Sequence, residues 1–366
     1  MNLLTPQLTI DLAAIQANYK LLRDKASPAV TGAAVKANGY GLGVVPVVKA
    51  LYAAGCRTFF TAYLQEAILV RKALPDAVIA PLHGVSEKDF AETRVQNIIP
   101  VLNSLKEIEN WSNFGKKRDE KLPSFIHLDS GMNRLGLPPN EQEVLINNPD
   151  SLKSLQVRAW MSHFSSSDEF NNPITTKQRD QFKSLLAKLP PAPASLCNSS
   201  GIFWGKDYLF DLVRPGVALY GVNPTPQQTN PMHPVIELKA PILQTRDVDS
   251  SMTVGYGATH RITRKGRIAT LALGYADGYL RSLSGRGKVK IGDFLAPIVG
   301  RISMDLTTVD VSDVPEAVAH PGALATIIGP RRTVDTVAAE AGTIGYEILT
   351  SLGARYERHY VGATGA

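Results

Sequence analysis

The feature that most restricts what this chain can become is an alternation that fills its first 225 residues. Short apolar runs fall at residues 29–35, 58–62, 77–82, 98–102, 125–128, 157–161, 194–197 and 209–213. Between them lie amphipathic stretches such as 65–74, 104–114 and 175–189. Runs that short and that continuously apolar read as strands buried on both faces, which is the habit of a parallel sheet. Parallel strands need a crossover, and the amphipathic stretches supply helices for it. Asp11 can cap the first helix, whose apolar positions Leu12, Ile15, Tyr19 and Leu22 keep helical spacing. Pro46 suits the first turn of the next helix and Gly55 suits its end. Eight strand–helix units close naturally into a (β/α)8 barrel of the TIM type; an open doubly wound sheet is the alternative.

The texture changes after about Gly221. Proline and polar residues crowd 223–234, which reads as a linker. Beyond it Val, Thr and Gly dominate, with runs at 268–273, 288–291, 295–299 and 307–311. The tail from Val334 holds one helical pattern and ends in a basic, aromatic stretch. The expected class is therefore α/β: a (β/α)8 barrel over residues 1–225, whose first few residues can join the other unit, and a mainly-β domain over 226–366. The length of 366 residues accommodates two such units.

Composition closes off other classes. At 44% hydrophobic and 20% charged, the chain is an ordinary globular one, without a run long enough to span a membrane. Its start has neither the basic flank nor the apolar core of a secretory signal. Two cysteines, Cys56 and Cys197, are expected as free thiols in a reducing cytoplasm. No Cys/His spacing suggests a metal. The net charge of +6 is scattered and not interleaved with aromatics, which suits a small anionic ligand at least as well as nucleic acid.

In a parallel barrel, chemistry gathers at the carboxyl ends of the strands. Lys36 follows the first run, Arg134 the fifth, His163 the sixth, the Asn198-Ser199-Ser200-Gly201 segment the seventh and Arg214-Pro215-Gly216 the eighth. Lys36 is either a solvated rim residue or a desolvated amine, free to act as nucleophile or base. Gly39-Tyr40-Gly41-Leu42-Gly43 lacks the third glycine of a dinucleotide fingerprint, since Val44 stands there. Serines before a short helical turn can present hydroxyls and N–H groups to a phosphate, or merely cap it. Arg214 is a permanent cation that can only donate hydrogen bonds. His163 can stack on a flat ring or satisfy a core contact. Tyr256, between Gly255 and Gly257, has little to pack on locally and can project elsewhere.

Taken together, these segments resemble the alanine racemases, pyridoxal-phosphate enzymes of the barrel fold type. The resemblance spans nearly the whole chain. It is carried by Ala34-Val35-Lys36-Ala37-Asn38-Gly39-Tyr40-Gly41, Asp129-Ser130-Gly131-Met132-Asn133-Arg134-Leu135-Gly136, Ser162-His163-Phe164, Asn198-Ser199 and Arg214-Pro215-Gly216-Val217, with Val254-Gly255-Tyr256-Gly257, Gly274-Tyr275-Ala276-Asp277 and Gly300-Arg301-Ile302-Ser303-Met304-Asp305 farther on. It implies pyridoxal 5'-phosphate bound covalently to Lys36. It implies Lys36 and Tyr256 as the two groups that exchange protons on opposite faces of the substrate, with Tyr256 coming from the second subunit of a homodimer. Arg134 would hold the substrate carboxylate, His163 would pack on the cofactor ring, and Arg214 would face its nitrogen. Tyr40, Ser199, Gly216, Val217 and Tyr346 would line the phosphate. Met304 would lie against the substrate carboxylate, and Tyr275 and Arg301 would stand on the entry path. The implied product, D-alanine, serves peptidoglycan.

One position departs from the family pattern. Seven residues before the arginine, where the family often has a carbamate-bearing lysine, this chain has His127. A neutral His127, a bound anion such as chloride or a nearby amide must then hold Arg134. Two other functions share the architecture or part of it. A basic-amino-acid decarboxylase would need a glutamate where Arg214 stands. A pyridoxal-phosphate carrier would consist of the barrel alone.

Overall fold

The structure, a computed structural model, describes residues 4–362. Strand β1 is Gln7–Asp11. The expected eight runs then appear in order as β2 (Val30–Thr31) with β3 (Ala33–Ala34), β4 (Thr58–Thr61), β5 (Val78–Pro81), β6 (Val101–Leu102), β7 (Leu122–His127), β8 (Leu155–Met161), β9 (Ala194–Ser195) and β10 (Leu212–Val213). Their neighbours are parallel throughout: β3–β4–β5, β6–β7–β8–β9 and β10–β2. Single backbone bonds join these pieces. Ile99 N donates to Ile79 O at 2.9 Å, Asp211 N to Ala194 O at 3.0 Å and Gly32 N to Val213 O at 2.9 Å. The ring closes, so the barrel rather than the open sheet is the fold. Phe60, Ala80, Val101, Phe125, Ala159 and Met161 fill its interior, which explains why the runs lack polar alternation.

The crossover helices form where local chemistry starts them. Asp11 Oδ1 accepts from Ala14 N at 2.9 Å and caps Leu12–Ala26. Ser104 Oγ accepts from Glu107 N and caps Leu105–Lys116. Each such cap is worth about 1 kcal/mol.

The second half is built on a long strand, β11 (Ile236–Val248). With β12 (Thr253–Val254), β13 (His260–Arg261), β14 (Gly266–Leu271), β15 (Lys288–Ile291), β16 (Phe294–Pro297), β17 (Thr307–Asp310), β18 (Leu324–Ile328) and β19 (Glu357–Val361) it gives a mainly-β unit. The main sheet runs β16-β15-β18-β11-β1-β19, with β14 joining β11 to β17. Strand β1 thus belongs to this sheet: Leu8 lies opposite Leu238 on one side and Arg358 on the other.

Two local expectations differ from what is observed. Residues 223–234 are no loose linker. His233 N donates to Asn18 Oδ1, Asn18 Nδ2 donates back to His233 O, and Asn223 N donates to Asp335. The first two bonds lock the segment against the first barrel helix and the third ties it to the helix that holds Asp335, pairings that sequence proximity cannot reveal. The tail carries two helices, Val334–Ala341 and Gly345–Ser351, split where Gly342 turns left-handed at φ +74°. No helix among the described residues is long and apolar enough to cross a membrane.

Candidate active site

A cavity of about 660 Å³ opens at the carboxyl end of the barrel strands. Lys36, Tyr40, Arg134, His163, Ser199, Arg214, Gly216, Val217 and Tyr346 all line it, so nine of the expected residues meet in one place.

Lys36 sits one residue past the end of the buried β3–Val35 segment, and the chain then does something unusual. Ala37, Asn38, Gly39 and Tyr40 all take positive φ, between +53° and +65°, so Lys36–Tyr40 is a left-handed turn. Glu66 Oε1 accepts from Ala37 N at 2.7 Å, Asn38 Oδ1 accepts from Val44 N at 2.9 Å, and Gly43 N donates to Asn38 O. The turn sends Tyr40 inward, where it stacks on Tyr220 at 4.5 Å between centroids. A side chain on Gly216 would overlap the Tyr40 hydroxyl, so glycine is required there.

Burial, and then the cation of Arg134, pull the Lys36 ammonium below its ordinary range; Glu66 opposes them. Of the two alternatives open in the sequence, the partly buried cavity position favours the desolvated amine over the solvated rim residue. Arg214 is buried. Its Nη1 donates to Ser195 Oγ, and its Nη2 donates to Ser162 O at 2.6 Å and to His163 Nδ1 at 3.3 Å. Burial pulls its pKa to about 10, still far above neutrality, so the charge persists. Because a guanidinium only donates, His163 Nδ1 must accept. Burial and the same arginine hold His163 well below its usual pKa, as a neutral ring. Ser199 Oγ accepts from Gly216 N at 2.9 Å and Ala218 N at 3.3 Å, which leaves its own O–H to donate. Three cations and no Asp or Glu line the cavity, so it suits a ligand carrying negative charge.

Tyr256, Tyr275, Arg301 and Met304 do not line this cavity. They form a second patch on the β unit. Tyr256 stands between Gly255 and Gly257, both left-handed, and is 72% exposed. A Cβ on Gly257 would lie 3.2 Å from Arg301 Nη1. Tyr275 N donates to Ser303 O at 3.0 Å and Ala276 N to Met304 O at 2.9 Å. One chain thus carries a recessed constellation and a projecting one.

Sequence reasoning missed Glu66, Asn103 and Ser195. Each acts on a cavity residue from a neighbouring element, and no motif links them. Among the described residues no cluster of His, Cys, Asp and Glu gathers as a metal site.

The chain matches the model of the alanine racemase N-terminal domain over residues 10–224 and that of the alanine racemase C-terminal domain over residues 235–360. It belongs to the alanine racemase family. The alanine racemase of Rickettsia canadensis is 49% identical over 354 residues, covering 96% of this chain and 98% of the relative. That of Brucella abortus is 44% identical over 372 residues, covering 98% and 94%. Among solved structures, the Bartonella henselae alanine racemase with covalently bound pyridoxal phosphate superposes with a TM-score of 0.95 at 41% identity, covering 98% of this chain and 99% of that one. The biosynthetic alanine racemase of Pseudomonas aeruginosa gives 0.91 at 34% identity, covering 98% and 99%. The family resemblance stated on motifs therefore holds over the whole fold, barrel and β unit alike.

Proposed function

We propose that this chain interconverts L- and D-alanine using pyridoxal 5'-phosphate. The observation that carries the reading is the cavity's chemistry: an unpaired, desolvated amine, a buried permanent cation and a free serine hydroxyl, with no carboxylate among them. That set fits a ligand with an aldehyde, a basic ring nitrogen and a phosphate. Membership of the family and the bound cofactor of the Bartonella henselae relative support it.

Lys36 is the residue that would hold the cofactor. Ser199, Tyr40, Tyr346 and the backbone at Gly216 and Val217 would hold its phosphate. When bound, pyridoxal phosphate acidifies the substrate's Cα–H by taking up its electron pair. Lys36, with its lowered pKa, takes or returns a proton on one face of Cα. Arg214 would donate to the ring nitrogen and so keep it unprotonated. The neutral His163 would pack beside the ring without adding charge. Arg134 holds the substrate carboxylate.

Racemisation needs a second group on the opposite face. Tyr256 fits, supplied by a second copy of the chain. It is a phenol held out from the surface by two left-handed glycines, outside its own chain's cavity. The working unit is then a homodimer with shared sites. Met304 lies against the carboxylate, and Tyr275 and Arg301 flank the approach. The D-alanine formed supplies peptidoglycan synthesis.

The test is direct. Purified protein with pyridoxal phosphate is incubated with each alanine enantiomer, and the products are separated by chiral chromatography, with carbon dioxide release from L-lysine followed in parallel. Both enantiomers should approach an equal mixture, without gas. Alanine that stays enantiopure would sink the proposal.

A further inference from the structure

Asn103 and His127 lie side by side at the rim of the cavity because of strand register. Leu102 pairs with Ile126 across β6 and β7, so the next residue of each strand, Asn103 and His127, adjoin. The Asn103 side chain has no freedom to flip. Its Nδ2 donates to Leu82 O at 3.2 Å and to Val101 O at 3.1 Å. Its Oδ1 therefore faces the imidazole, 2.9 Å from His127 Nδ1. An amide oxygen can only accept, so Nδ1 must carry the proton. Burial, and after it the charge of Arg214, push the His127 pKa down to about 4, against a smaller opposing pull from Asp129. The ring is then neutral, protonated at Nδ1 and bare at Nε2, and it lines the cavity.

Three cations line the cavity, Lys36, Arg134 and Arg214, and Arg134 is the one whose loop is built against His127. Arg214 is committed to Ser195, Ser162 and His163. Asp129 is committed too: its carboxylate accepts from the N–H groups of Gly131, Met132 and Asn133, at 2.9, 2.9 and 3.0 Å. That holds the turn leading to Arg134. The far end of the same loop is stitched to the histidine itself, with Leu137 N donating to His127 O at 2.8 Å. Gly136 lies against the ring, where a Cβ would be 3.0 Å from Cδ2, the carbon next to Nε2. Arg134 lines the cavity and its charge acts on His127, and among the described residues its guanidinium makes no hydrogen bond or ion pair, so His127 Nε2 is still open.

We infer that Asn103 fixes His127 in its Nδ1–H form so that the bare Nε2 stands ready as the acceptor that orients the Arg134 guanidinium when a carboxylate draws it into the cavity. Both are positioning residues. The inference rests on Arg134 as the carboxylate-holding residue of the proposed function. It also has a physical merit: a neutral acceptor orients the arginine without cancelling its charge, so the full cation stays available to an anion. A carboxylate in the same place would offset that charge.

The test uses holoprotein labelled with 15N in histidine, with the His127 signals assigned by their loss in His127→Gln. Long-range imidazole correlation should show Nδ1 protonated and Nε2 bare across roughly pH 6 to 9, where an ordinary histidine would titrate or favour the other form. Asn103→Ala should yield a mixture of the two forms. Acetate, the smallest carboxylate probe, is then titrated into each protein. His127→Phe removes the acceptor and should weaken acetate binding and raise the alanine KM by roughly tenfold, while kcat moves less. His127→Gln restores an acceptor and should stay near wild type. A wild-type His127 protonated at Nε2 overturns the inference without any variant. So does unchanged acetate affinity in His127→Phe, or acetate binding that depends on chloride. If the tautomer and acetate results hold but alanine is not racemised, the functional reading fails while the positioning pair stands.

Discussion

Glu66 tests how the Lys36 turn is held. Its carboxylate spans two strand ends: Oε1 accepts from Ala37 N at 2.7 Å, and Oε2 from Ala62 N at 2.7 Å. The turn it secures has three non-glycine residues in the left-handed region, Ala37, Asn38 and Tyr40. At about 1–2 kcal/mol each, that is roughly 3–6 kcal/mol of strain, which persists only while surrounding bonds enforce it. Glu66→Gln keeps one acceptor oxygen and sets an NH2 against the other N–H. A bond to a charged group contributes about 1.5–3 kcal/mol, and because Ala37 is exposed, water recovers part of it. The expected loss is therefore about 1.5 kcal/mol, or ~2 °C in Tm for a protein of this size. The electrostatic effect has a definite sign. Glu66 is the group that raises the Lys36 pKa against burial, Arg134 and Arg214, so removing its charge must lower that pKa further. Reactivity of Lys36 toward an amine-selective reagent, measured on the apoprotein across pH and read by peptide mapping, should give a midpoint below wild type. A midpoint that is unchanged or higher would refute the reasoning, even if the protein melts earlier.

Three further outcomes are expected. Gly41→Ala puts a side chain on a residue at φ +81° and into the Leu349 carbonyl, so it should cost at least about 2 kcal/mol in thermal unfolding. Because Tyr346 shares the helix Gly345–Ser351 with Leu349, it should also speed cofactor loss on dialysis. Lys36→Ala should lose the visible absorbance of the holoprotein, whereas Tyr256→Phe should keep the colour and lose turnover of L-alanine first, as a spectrum and a chiral assay of each will show. Burial pushes the Cys56 thiol to about 12 and the Cys197 thiol up as well, so neither should react with a disulfide reagent at pH 8 until denaturant is added.

What could be read from the sequence follows from how far apart the determinants lie along it. The barrel strands were legible because burial on both faces leaves an unbroken apolar run, even where only Val101–Leu102 keeps regular strand geometry. Strand β11 was not. It alternates Glu237 and Lys239 with buried neighbours, carries Pro241, and shifts register against β18 between Leu238 and Lys239, so it shows neither a clean run nor an unbroken period of two. The functional residues divide in the same way. Lys36, Arg134, His163, Ser199 and Arg214 each lie in the segment that follows a strand, where the barrel rule predicts that they converge. Glu66, Asn103 and Ser195 act across strand boundaries, on Ala37, His127 and Arg214 respectively. The 24 residues between Asn103 and His127 become one hydrogen bond only once the register of β6 on β7 is known. A motif can therefore name the groups that touch a ligand. The groups that set their protonation and direction belong to the register of the sheet, as the Asn103–His127 bond does here.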